Sequence, residues 1–268
     1  MKSLTRSLPR PRATSADSAN QVPALQRGLA LLEHLAAAPA GATLSELGAT
    51  LDLSPTSVFR LATALEELGY LSRDEKTKRF AVTQKLLLLG QPHSGNRSLV
   101  ECALEPMRRV LAATSETTQL CCRAEAECVV IEQLPALHPF KYVVDLGSRP
   151  PAHCCAPGKA MLAFLPADEL AAVLPKIRFE RHTAHTITSR RELLADLARI
   201  RACGYALDRG EHFDGIHCVA GPLLDRHGRA IAAITIAGPA ARIPASRFEK
   251  IGRLIIDAAN DAARRFQQ

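Results

Sequence analysis

The residues best placed to do chemistry in this chain are Thr56, Ser57 and Arg60, in the run Ser54-Pro55-Thr56-Ser57-Val58-Phe59-Arg60. Small hydroxyls and a guanidinium near a helix N-terminus suit phosphate oxygens and base edges in a DNA major groove. Further on, Arg73, Lys76, Lys78 and Arg79 crowd a polar turn, where cations can sit on the phosphates beside a groove. A second group is the cysteines: Cys102, Cys121, Cys122, Cys128, Cys154, Cys155, Cys203 and Cys218. None forms CxxC. The pairs Cys121-Cys122 and Cys154-Cys155, with His153 beside the latter, offer a thiol switch or a metal site. Adjacent residues of a strand point to opposite faces, so both rarely reach one ion, and structural thiols are the plainer reading. Cys218 or Cys155 with His217 or His153 as base would be a nucleophilic pair. No nucleophile elbow, phosphate loop or metalloprotease signature accompanies them. The expectation is a binding protein without catalysis, metal or cofactor.

The elements that must hold these residues can be read around them. Thr43 caps one helix, with Glu46 completing a capping box and Leu44, Leu47 and Leu51 at helical spacing. Asp52-Leu53 makes a tight turn. Ser54 caps a second helix, Pro55 fits its first position, and Val58, Leu61, Leu65 and Leu68 form its apolar stripe. Such a hairpin is also a common helix pair with a wet polar face. The next fourteen or so residues decide between the two: Gly69-Tyr70 ends the helix, Leu71–Arg73 and Arg79–Val82 read as a two-stranded wing, and Asp74–Lys78 is its turn. An amphipathic helix from Val22 to Ala37, with Leu25, Leu29, Leu32 and Leu35 on one side, precedes the pair. Its surplus of apolar residues reads either as extra core or as a dimer surface.

Composition limits the partners. The 268 residues carry a formal charge of +7 and 47% hydrophobic residues, with no Trp and 4% aromatics, enough for a core but not for stacking single-stranded bases. That leaves duplex DNA. Charge sum alone does not favour it: between 21 and 90, Arg27, Arg60, Arg73, Lys76, Lys78, Arg79 and Lys85 are matched by Glu33, Glu46, Asp52, Glu66, Glu67, Asp74 and Glu75. The placement of the cations, not their number, points to DNA. No apolar run spans a membrane and the basic start is not followed by an apolar core, so a cytoplasmic location is expected.

Along the chain, residues 1–20 read as a disordered tail, 21–83 as a winged helix-turn-helix, 84–97 as a linker and 98–268 as a second domain. Ser98 and Glu101 form another capping box. Strands are expected at Thr117–Arg123, Cys128–Leu134, Lys141–Leu146, Tyr205–Asp208, Ile216–Leu224 and Ala230–Ile236, with helices at Pro157–Phe164, Asp168–Leu174, Arg190–Cys203 and Ile251–Phe266. Strands with helices on the faces make this an α+β domain around one sheet.

Two stretches taken together resemble the IclR family of bacterial transcription regulators. One is VPALQRGLALLEHL with TLSELGATLDLSPTSVFRLATALEELGYLSRDEKTKRFAVTQKLLLLG; the other is PAHCCAPGKAMLAFLPADEL followed by IRACGYALDRGEHFDGIHCVAGPLLDRHGRAIAAITIAGP. The resemblance implies an N-terminal winged helix-turn-helix, a linker helix and a C-terminal GAF-like domain with a central antiparallel sheet. It implies a homodimer or dimer of dimers on duplex DNA, answering to a small-molecule effector, often a carboxylate. Carried over residue by residue, Thr56, Ser57 and Arg60 would read DNA, with Thr43 near the backbone. Ala156-Pro157-Gly158 would lie at the effector, opposite Asp208, Cys218, Thr235 and Ala237, with Tyr142 on the wall. Pro157 lacks the N–H that relatives often offer, and Ala237 lacks a hydroxyl found in some, so the contacts of the effector's anionic group differ. A cysteine-based redox or metal-sensing regulator is the alternative.

Overall fold

The computed structural model describes residues 22–38, 40–89, 93–94 and 97–268, so the expected disordered tail lies outside the described residues. The chain divides into two compact units, residues 1–89 and 90–268.

The first unit runs α1 (Pro23–Ala36), α2 (Leu44–Leu51), α3 (Pro55–Glu67), β1 (Leu71–Arg73), β2 (Phe80–Val82) and α4 (Lys85–Leu89). The capping box closes as the sequence dictates: Glu46 N–H donates to Thr43 Oγ1 at 3.3 Å and Thr43 N–H to Glu46 Oε2 at 2.8 Å. Asp52 ends α2 with φ of 52°, a left-handed turn that a short polar side chain tolerates. Ser54 then caps α3 by accepting from Ser57 N–H at 3.3 Å. The wing pairs antiparallel, Leu71 with Val82 and Arg73 with Phe80. Leu31, Leu32, Leu35, Leu47, Val58, Ala62, Leu71 and Phe80 form the core. Two expected stripes are corrected. Leu68 is 58% exposed because it is the C-cap, beyond the last turn of α3, and Ala62 faces the core instead. On α1, Leu32 and Leu35 point inward but Leu25 and Leu29 stay 60% and 51% exposed, since only the second half of the helix meets the core.

The second unit begins with a short hairpin, β3 (His93–Ser94) and β4 (Arg97–Ser98), then α5 (Leu99–Thr114), β5 (Thr117–Ala124) and β6 (Glu127–Leu134). Next come α6 (Ala156–Ala163), α7 (Ala167–Val173), α8 (Arg190–Cys203), β7 (Ala206–Arg209), β8 (Ile216–Leu224), β9 (Ala230–Pro239) and α9 (Phe248–Gln267). Five strands form one antiparallel sheet in the order β6-β5-β9-β8-β7. One face carries α5 and α9, sealed by Leu99, Met107, Leu120, Val219, Ile234, Ile236 and Ile255. Gly221 lets α9 come close: a Cβ there would stand 2.7 Å from Ile255 Cγ2. The other face carries α6, over Cys121, Val130, Ala220, Ala233 and Ala237.

The expected strand at Lys141–Leu146 does not form; the segment is an irregular loop. Its backbone is claimed by a side chain instead. Gln133 Nε2 donates to Val144 O at 3.0 Å, and Val144 N–H donates to Gln133 Oε1 at 3.1 Å. Downstream, residues 147–152 run along the β6 edge: Gly147 N–H donates to Val130 O and Cys128 N–H to Pro150 O. The edge is thereby closed without another strand.

Candidate functional site

In the first unit the start of α3 presents Thr56 and Arg60 exposed, Ser57 half-buried, and Phe59 53% exposed beside them. Ser57 Oγ lies 2.9 Å from Ser54 Oγ, so part of its hydrogen-bonding capacity belongs to the cap. Thr43 is spent on capping α2. In the wing, Lys76 and Lys78 are exposed, Lys78 with Glu75 at 3.4 Å, a pair too wet to hold it. Arg73 is exposed with its guanidinium 5.4 Å from the Phe80 ring centre. Arg79, counted among the tip cations from sequence, does not stand there. Its guanidinium turns inward to Ala40 O at 3.0 Å, Gly41 O at 2.9 Å and Glu46 at 3.0 Å. It ties the wing to α2 and holds no charge free for phosphate.

In the second unit, sheet register gathers most of the expected effector residues. Asp208 pairs with Cys218, Cys218 with Ala237, and Ala237 with Thr117. The next row runs Ala220, Thr235, Gln119 and Gln133. Thr235, Cys218, Ala237 and Asp208 are buried, and Tyr142 is half-buried against the same cluster, its ring 6.0 Å from Phe213. Ala156, Pro157 and Gly158 open α6 and are buried too. Gly158 is fixed by packing: a Cβ there would lie 2.5 Å from Ala152 Cα. Thr235 Oγ1 is 3.1 Å from both Val219 O and Ile236 O, so its hydroxyl is partly engaged by backbone.

Burial shapes the electrostatics of this face. Asp208 is pushed up to about 7, first by burial and then by the charge of Glu211, although it accepts from Glu211 N–H at 2.6 Å. Burial, with Asp208 as neighbour, raises the Cys218 thiol. Burial, with Cys218 and Asp208 close by, raises the Tyr142 phenol. Behind them lies a network that sequence reasoning missed. Lys159, 1% exposed in the middle of α6, donates to Glu211 Oε2 at 2.5 Å and lies 3.0 Å from Asp196 of α8. Burial opposes its charge, but the Glu211 and Asp196 carboxylates outweigh it and hold its pKa above the ordinary lysine value. The signal was present: a lone Lys inside Ala156–Ala163, otherwise free of charge, must find a partner when that helix is buried. Gln119 and Gln133 were missed because their pairing at 2.9 Å depends on strand register.

Two helices joined by a tight turn, a paired wing and a separate five-stranded sheet unit define a DNA-binding transcription regulator with a sensory half. The model of the IclR helix-turn-helix domain matches residues 24–75, and that of the bacterial transcriptional regulator IclR C-terminal domain matches residues 94–264. The chain belongs to the IclR family. It is 33% identical over 238 residues, 89% of this chain and 88% of the relative, to the HTH-type transcriptional repressor AllR of Klebsiella pneumoniae. Among solved structures it is similar to a transcriptional regulator from Rhodococcus sp. RHA1, with TM-score 0.78 and 29% identity over 92% of this chain and 98% of that one. It shares its fold with an IclR homologue from Microbacterium hydrocarbonoxydans solved with 4-hydroxybenzoate, with TM-score 0.76 and 23% identity over 91% and 99% of the two chains. Among the described residues no helix is long and apolar enough to cross a membrane.

Proposed function

We propose that this chain binds duplex operator DNA as a homodimer or dimer of dimers in the cytoplasm, and that a small organic acid held between α6 and the sheet changes its grip on DNA. The observation that carries the reading is the pairing of Asp208 with Cys218 beside Thr235, on the sheet face that α6 covers. A mixture of hydrogen-bonding groups in an apolar surround is what orients a small polar ligand. Asp208, near 7, can lend a proton to a carboxylate. The start of α6, which has no side-chain cap, adds a positive end, while Pro157 has no N–H to offer. The fold neighbour bound to 4-hydroxybenzoate, itself a carboxylate, supports the same ligand class. Thr56, Ser57 and Arg60 read bases, and Arg73, Lys76 and Lys78 hold phosphates.

The redox alternative is less well supported. Neighbouring thiols and burial raise Cys128, and burial raises Cys154 and Cys218, so in the absence of a metal these thiols stay protonated and slow to react with oxidants. A thermal-shift screen of small organic acids tests the sensory half, because a ligand of the native state raises its melting point. A mono- or dicarboxylate should raise it in the wild type and fail to do so in Asp208→Ala. A screen in which only non-acids stabilise the protein contradicts the proposal.

A further inference from the structure

We propose that His153, Cys154 and His182 bind one divalent cation of the zinc type in the second unit. One ligand atom from each lies within 4.8 Å of the others. The independent observation is a buried nitrogen with nothing to bond. His153 is 0% exposed, and its Nε2 stands 3.2 Å from Glu180 O. A carbonyl only accepts, so Nε2 carries the hydrogen. That tautomer leaves Nδ1 as a bare acceptor, and this buried atom has no partner among the described residues. An imidazole pinned through one nitrogen by a backbone carbonyl, with the other lone pair free, is how proteins present histidine to a metal.

The neighbouring residues fit. His153 and Cys154 belong to a turn rather than a strand, so the rule that adjacent side chains diverge does not apply to them. Cys154 is buried, and its only hydrogen-bond acceptor among the described residues is Pro151 O at 3.6 Å, a weak contact that a metal bond would replace. His182 is exposed on a turn whose backbone is anchored by Thr186, through His182 N–H to Thr186 Oγ1 at 3.0 Å. From Zn–N and Zn–S bond lengths, ligand atoms of a tetrahedral site stand about 3.3–3.8 Å apart. The three atoms spread over up to 4.8 Å, and of the three side chains only that of His182 is exposed and able to turn inward. His212, whose ring centre is 5.0 Å from that of His182, or a water takes the fourth position. A donor set of two imidazoles and a thiolate selects zinc over magnesium or calcium. Binding forms the metal–sulfur bond and releases the Cys154 proton to solvent, so affinity rises with pH.

The test uses the full chain, stripped with chelator and titrated with Co²⁺ and then Zn²⁺. One equivalent of Co²⁺ should bind with a thiolate-to-cobalt charge-transfer band, lost when Zn²⁺ is added. Cys154→Ser should abolish the band, and His182→Gln, at an exposed position that leaves folding intact, should weaken binding by about tenfold or more. If Cys154→Ser fails to fold, His182→Gln decides alone. No retained Co²⁺, a band that survives Cys154→Ser, or unchanged affinity in His182→Gln would each overturn the proposal. The readout is metal occupancy, so the outcome is independent of the operator reading.

Discussion

Arg60 is exposed at the start of α3 with hydroxyls around it, a setting that suits a base reader. Arg60→Ala should therefore cost about 1–3 kcal/mol of specific operator affinity and relax preference at one base pair. Lys76→Ala should weaken binding to all sequences alike and flatten the salt dependence. Anisotropy titrations at several salt concentrations separate the two. In the sheet unit, Lys159→Ala would leave Glu211 and Asp196 buried without their cation. Loss of one member of a buried pair costs about 3–5 kcal/mol, measurable by urea unfolding. Asp208 gives a pH signature, with Glu211, Lys159, Cys218 and Tyr142 as its charged or titratable neighbours. Its folded-state pKa of about 7 lies above the 3.8 of an ordinary aspartate, so the folded protein keeps a proton the unfolded chain gives up. That contribution is complete below the ordinary carboxyl value and is lost as pH rises through about 7. The melting temperature of wild type should fall across this range relative to Asp208→Asn; parallel profiles would remove Asp208 as the titrating group. At this scale the sequence showed residues whose role is local. Thr56 and Arg60 come just after a cap and a proline, whereas Arg79 and Lys159 depend on partners 33–39 and 37–52 positions away.

Helices with caps were readable because a cap is a contact between near neighbours. Ser98 with Glu101 and Ser189 with Glu192 close as their spacing requires. The loop at Lys141–Leu146 was misread because alternation marks any extended chain with two environments. Here the partner is the amide of Gln133 rather than a strand. Strand β9 runs to Pro239, past its expected end, since Ala237 and Gly238 carry no alternation and are held by pairing with Cys218 and His217. Of the surplus apolar residues on α1 weighed from sequence as core or dimer surface, Leu31, Leu32 and Leu35 are core, while Val22, Leu25 and Leu29 form a different, exposed apolar row. In the proposed dimer this row is buried between copies. Leu25→Asp combined with Leu29→Asp should shift the chain toward monomer in sedimentation equilibrium while its circular dichroism stays helical. A double variant that sediments as wild type does would place the interface elsewhere.

As a whole the chain couples a reading unit to a sensory unit, and thermodynamics limits how. The proposed organic acid can alter DNA affinity only by the ratio of its affinities for the DNA-competent and DNA-incompetent arrangements. The effect is reciprocal: operator DNA must change acid affinity by the same factor. The winged helix-turn-helix and an α+β unit around one sheet were legible from helix spacing, the wing and the strand pattern. The proposed effector site was not legible from spacing, because Asp208, Cys218, Thr235 and Ala237 are brought together only by sheet register between segments distant in sequence. The most direct test is a titration of labelled fragments from bacterial promoter regions, read by anisotropy, with and without the acid found by thermal shift. The account predicts saturable binding to one fragment over scrambled DNA, steep in salt, with an affinity that moves when the acid is added. Equal affinity for scrambled and selected DNA, or an acid that stabilises the protein yet leaves DNA affinity unchanged, would contradict it.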